Sequence, residues 1–161
     1  LPVRGSLVFR GMSHPVPAPL DVVTPLQLKR ERLRFSAFRF VRTPSGLCTA
    51  DVELEWVDNV TVIGRATGQS SPMGDLRVAA EAGLKALESF GGGAIAFELA
   101  GIKALRAFDA NIVIVAVGVR KGEGPQRLLG AYLAESDPVR AAVVAVLNAT
   151  NRLLGNFIAT R

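Results

Sequence analysis

Two short turns hold the residues best suited to binding chemistry. "RATGQSSPMGD" places Gly68, Gln69, Ser70 and Ser71 just ahead of a helix start. Backbone N–H groups at a helix N-terminus favour anions, and two hydroxyls add donors, so this turn suits a carboxylate or a phosphate. "ESDPVR" places Ser136 and Asp137 ahead of a second helix. An aspartate there caps the helix and repels anions, which suits the ammonium group of a zwitterion. Plain capping, by Ser71 in one turn and Asp137 in the other, competes with binding and carries the greater weight. Asn151 and Arg152 follow at the far end of the second helix, where positive charge complements the dipole.

Catalysis finds little support. The sole histidine, His14, sits between Ser13 and Pro15 in a proline-rich stretch, and Cys48 in "GLCTADVEL" has no histidine beside it to raise its thiolate fraction. General acid–base chemistry needs titratable groups held in a dry pocket. Most of the acids fall instead on alternating strand positions or polar helix faces. The expectation is a non-catalytic domain with no metal site and no cofactor. One cysteine excludes an intramolecular disulfide framework and fits a reducing compartment, the cytoplasm. The chain begins at Leu1 rather than Met, as an excised segment of a larger protein would, and no run is long and apolar enough for a membrane span.

The elements that must position these residues follow a repeated order. Prolines concentrate in residues 1–29, which read as an N-terminal arm. "RLRFSAFRFVR" reads as a strand with a bulge or bend near Ala37, "TADVELEWV" as a half-buried strand, and "VTVIGRATG" as a third. The helix "LRVAAEAGLKALESF" then stops at Gly91-Gly92-Gly93. After those glycines come "AIAFELAGIKALRAF", the β-branched "NIVIVAVGV", which reads as a buried strand, and "QRLLGAYLAE". The helix "DPVRAAVVAVLNATNRLL" follows, with an end expected near Gly155. Leu33, Phe35, Phe38 and Val41 match Phe97, Leu99, Ile102 and Leu105 at an offset of 64, and Arg77, Ala79, Ala82, Leu84 and Ala86 match Arg140, Ala142, Ala145, Leu147 and Ala149 at an offset of 63. Gly64 and Gly130 each fall in a third strand. The expected fold is α+β: two copies of a strand-strand-strand-helix unit with antiparallel sheets and Ala-rich helices. The doubled domain covers 30–156, as repeats 30–90 and 94–156, and 157–161 form a tail. Such a fold has more apolar face than one copy covers, so the expected partner is a second copy of the chain, in a homodimer.

The net charge of +5 is local. Residues 29–42 hold six basic side chains, Lys29, Arg30, Arg32, Arg34, Arg39 and Arg42, against Glu31, and the remainder balances. That strip supports an alternative reading as an RNA-binding domain of the double-stranded-RNA-binding pattern. The helix starts "SPMGDLR" and "SDPVR" carry one acid and one arginine each rather than phosphate-binding lysines, which ranks nucleic acid below self-association.

The stretches "RERLRFSAFRFVRTPSGLCTADVELEW" and "LLGAYLAESDPVRAAVVAVLNATNRLL", with the segments between them, resemble the C-terminal regulatory domain of 2-isopropylmalate synthase and citramalate synthase over roughly residues 30–156. Ser136, Asp137, Ala141, Ala145, Asn151 and Arg152 carry the likeness most closely. The resemblance implies the doubled fold, homodimerisation, and an allosteric site near the dimer interface for a branched-chain amino acid or a related small carboxylate. The effector-site candidates are Gly68, Gln69, Ser70, Ser71, Ser136 and Asp137, with Leu76 and Val139 as neighbours that would select a branched side chain.

Overall fold

The computed structural model describes residues 33–120 and 124–159; the proline-rich arm lies outside them. Three strands, β1 (Arg34–Arg42), β2 (Leu47–Glu55) and β3 (Thr61–Gln69), precede helix α1 (Pro72–Gly91). Three more, β4 (Ala96–Ala107), β5 (Ala110–Arg120) and β6 (Pro125–Ala134), precede α2 (Pro138–Ala159). The fold is α+β, with two three-stranded antiparallel sheets ordered β1-β2-β3 and β4-β5-β6. The order of elements is therefore the same in both halves. Both leading strands also bulge at the same relative place, between Phe35 and Ala37 in β1 and between Leu99 and Gly101 in β4.

Alternation along the central strands makes the core. Cys48, Ala50, Val52 and Leu54 of β2 and Val113, Val115, Val117 and Val119 of β5 turn inward and are all buried. Each such Val or Leu contributes about 1.5–3 kcal/mol relative to its exposed state. Helix α1 lies on β2 and β3 and also touches β4 and α2, while α2 lies on β5 and β6. The helices are thus covered on most of their circumference. Only a stripe of α1 that includes Met73, Arg77, Lys85 and Ser89 reaches solvent fully.

Alanine-rich helices permit unusually close approach to the sheets. A Cβ on Gly64 would collide with the Ala82 carbonyl oxygen and the Ala86 backbone, and one on Gly130 would collide with the Ala145 carbonyl oxygen and stand 2.7 Å from the Ala149 Cβ. The third strand of each sheet therefore meets its helix backbone to backbone. Trp56, just past β2, packs edge-on against Phe90 with ring centroids 5.3 Å apart, which pins the end of α1 before Gly92 closes it in a left-handed conformation.

Two expectations need correction. Helix α2 does not stop near Gly155 but runs through it to Ala159. An internal glycine costs a helix only about 1 kcal/mol, and no proline follows to end it. Strand β5 is not buried on both faces: Ile112 and Ile114, on the face opposite its valines, remain partly exposed.

Candidate functional site

The N-terminus of α1 gathers the densest set of polar side chains around a buried charge. Ser71 is the N-cap, in extended conformation, and its Oγ accepts from the Gly74 N–H at 2.8 Å, with Pro72 following in the first turn. Asp75 sits one turn in, 6% exposed, where the helix dipole favours a carboxylate. Pairing across the first sheet brings the other members to it. Arg42 of β1 lies opposite Cys48 of β2, and Cys48 opposite Gly68 of β3. Arg42 donates from Nε at 3.0 Å and Nη2 at 2.7 Å to Asp75 Oδ2, and Ser70 Oγ donates to Oδ1 at 2.8 Å. The Cys48 thiol hydrogen-bonds the same carboxylate. The Arg42 guanidinium also lies 4.9 Å over the Phe40 ring.

These contacts set the protonation states. Burial pushes the Asp75 carboxyl upward, but hydrogen bonds from Arg42, Ser70 and Cys48 outweigh it and hold the group below the usual carboxylate range. Burial pushes the Cys48 thiol up, and the hydrogen bond to Asp75 pushes it further the same way. A protonated, enclosed thiol is a poor nucleophile, and a carboxylate already accepting three side chains is a poor general base. The cluster locks β1, β2 and the start of α1 together. Among the described residues no buried side-chain N or O lacks a hydrogen-bond partner.

The expected effector residues fall into two separate sets. Gly68 and Gln69 end β3, where a Cβ on Gly68 would stand 2.8 Å from a Val78 methyl. Ser70 is engaged by Asp75 and Ser71 by its own helix. Ser136 is exposed, and Asp137 Oδ1 accepts from the Val139 and Arg140 N–H groups at 3.0 and 3.2 Å. Ser71 and Asp137 thus act as caps. Among the described residues no hydrogen bond or ion pair joins the first turn to the second, and Leu76 and Val139 are buried. Sequence reasoning missed Arg42, Cys48 and Asp75 as a unit. The available signal was an acid in the first helical turn, four residues after the capping serine.

The basic strip is largely paired where it is described. Arg34 meets Glu55 at 3.0 Å, Arg39 and Arg65 share Asp51, and Arg42 meets Asp75. The Arg65 hydrogen bond in turn holds the Asp51 carboxyl below its ordinary range. Lys29, Arg30 and Arg32 lie outside the described residues. From the other half, Arg140 near the start of α2 places its guanidinium 4.8 Å over the Phe35 ring, so this arginine too is committed to a contact within the chain.

An open depression of about 830 Å3 lies at one end of the second sheet, with Phe97, Glu98, Arg120 and Arg127 on its walls. Among the described residues no group of three or more His, Cys, Asp or Glu side chains could hold a metal ion, and no helix is long and apolar enough to cross a membrane. No protein-family model matches the chain, and no curated protein matches it.

Proposed function

We propose that this chain is a non-catalytic, homodimeric regulatory or small-molecule-sensing domain of the cytoplasm, built as a doubled strand-strand-strand-helix unit like the effector domain of 2-isopropylmalate synthase. The observation that carries the reading is the paired contact of Gly64 with Ala82 and Ala86 and of Gly130 with Ala145 and Ala149. Two halves with one element order and one backbone-to-backbone helix contact suit a packing and sensing role. The buried titratable pair, Cys48 and Asp75, is consumed by structural hydrogen bonds, which also favours this role over catalysis.

The ligand class is a zwitterion with a branched side chain, bound between the turns at 68–71 and 136–137 of the assembled dimer. Thermal or calorimetric titration with leucine, isoleucine and valine tests it. At 100 times its dissociation constant, a ligand should stabilise the fold by about 2.7 kcal/mol. Asp137→Asn retains a capping side chain while removing the charge, so it should lose the ligand response with little loss of stability. No response to any of the three amino acids removes the sensing function and leaves a dimeric scaffold.

A further inference from the structure

The two sheets differ on the faces turned away from the helices. On the first sheet that face carries charge pairs, Arg34 with Glu55, and Arg39 and Arg65 with Asp51. The Arg39–Asp51–Arg65 row separates the exposed Ile63 from the exposed Val41 and Leu47. On the second sheet the inward valines of β5 leave Ile112 and Ile114 on the outer face, with Leu105 on one side and Leu129 and Leu133 on the other. Leu129 is 71% exposed and Leu133 42%. Contiguous apolar surface of this kind marks an interaction site.

We infer that the outer face of β4-β5-β6 packs against the same face of a second copy, about a two-fold axis running along β5. This rests on the homodimeric reading above for the identity of the partner and adds the surface. The register supports a copy of the chain as the occupant. Glu98, Gly118 and Arg127 form one row across the sheet; Gly101, Ala116 and Leu129 form the next; Lys103, Ile114 and Ala131 the third; Leu105, Ile112 and Leu133 the fourth. Rotation about an axis along β5 keeps each row at its level and exchanges its β4 and β6 ends. Glu98 then faces Arg127 of the other copy, Leu129 faces Gly101, and Leu105 faces Leu133. Glu98 meets opposite charge and the most exposed leucine meets the residue without a side chain. Lys103 faces Ala131, and Arg120, on the axis in the next row with Ala96 and Pro125, faces its own counterpart at the exposed end of the face. An in-plane axis across the strands would instead set the Glu98 row against the Leu105 row and bury charge on leucine.

The dimensions are adequate. Three strands about 4.8 Å apart, each offering about ten residues of about 3.3 Å rise, make a face on the order of 14 by 33 Å. Two such faces hide on the order of 1,000 Å2, the size a specific interface has to reach. Facing sheets pack about 10 Å apart, close enough for these side chains to interdigitate.

Sedimentation of the full chain at micromolar concentration tests the face, with far-UV circular dichroism as the control for folding. The wild type should run at twice 17.0 kDa. L129R should run as a folded monomer. E98R and R127E should each weaken the dimer at least tenfold, and the double variant E98R/R127E should recover most of the loss. A dimer that persists in L129R, or a double variant no better than the singles, overturns the face while leaving the homodimer. A wild type that stays monomeric overturns both, and leaves the amino-acid titration as the separate test of sensing.

Discussion

Arg42, the last residue of β1, closes both Nε and Nη2 on one oxygen of Asp75 in the first turn of α1, 33 positions away. The Arg42 side chain is 58% exposed and that of Asp75 only 8%, so water weakens the pair from one side while the carboxylate depends on its partners. Arg42→Ala should therefore cost about 1–2 kcal/mol, less than the roughly 3–5 kcal/mol of a fully buried pair. Urea unfolding at pH 7 measures it, and a cost near zero would show that Ser70 and Cys48 suffice to hold the charge.

The same pair gives a signed pH dependence. The folded-state carboxyl of Asp75 lies below its ordinary value of 3.8, so its contribution is fully present above the unfolded value. That contribution is lost as the pH falls through the lower, folded value. Stability should thus drop below about pH 4. Asp75→Asn should flatten this acid limb, and Arg42→Ala should move it to higher pH. Urea midpoints across pH 2.5–6 check the slope, and an unchanged limb in Asp75→Asn would assign the acid loss to other groups.

Cys48 should resist labelling. The side chain is fully buried and the thiol is raised by that burial first and by Asp75 second. With Ellman's reagent at pH 8 the native protein should react only through opening of the sheet, while the urea-unfolded chain reacts at once. Asp75→Asn lowers the smaller of the two barriers, so labelling should quicken mainly through lost stability. Immediate modification of the native wild type would contradict the enclosed position of the thiol.

Much of the fold was legible because it depends on local periodicity. The repeated order of strands placed Gly64 and Gly130 each in the third strand of its half, and both proved to be points where a Cβ has no room. The bulge near Ala37 could be read from the broken alternation of Phe35, Phe38 and Phe40. Ser71 and Asp137 were legible as caps from residue type and position. The Arg42–Asp75–Cys48 cluster was not, because it depends on which residues the sheet register sets side by side and on which face α1 turns down. The apolar run of β5 was misread for a related reason: composition cannot distinguish a strand covered on two faces from one covered on one.

The glycines that meet the helices should be the least replaceable residues. Gly64→Ala and Gly130→Ala force the sheet away from backbone atoms that cannot rotate aside, and each should cost about 3 kcal/mol or more. Gly83, in the middle of α1, offers the contrast. A Cβ there would stand 3.5 Å from a Val143 methyl and 3.7 Å from a Val146 methyl, in ordinary contact. Gly83→Ala should therefore stabilise by up to about 1 kcal/mol through helix propensity. Chemical unfolding of the three variants orders them, and a stable Gly64→Ala protein would refute the close approach of β3 to α1.

The β4–β5 hairpin is closed by Phe108 and Asp109, with φ of 53° and 58°. Positive φ at both central residues of a two-residue loop is the type I′ geometry, which favours Asn and Gly and burdens a bulky side chain. Phe108 is 91% exposed and so gains little from packing to offset that strain. Phe108→Asn should stabilise by about 1 kcal/mol, raising the urea midpoint with an unchanged slope. The gain should be the same in L129R, because the turn geometry belongs to a single copy. A loss of stability in the wild type that vanishes in L129R would place the phenyl ring in the contact between copies.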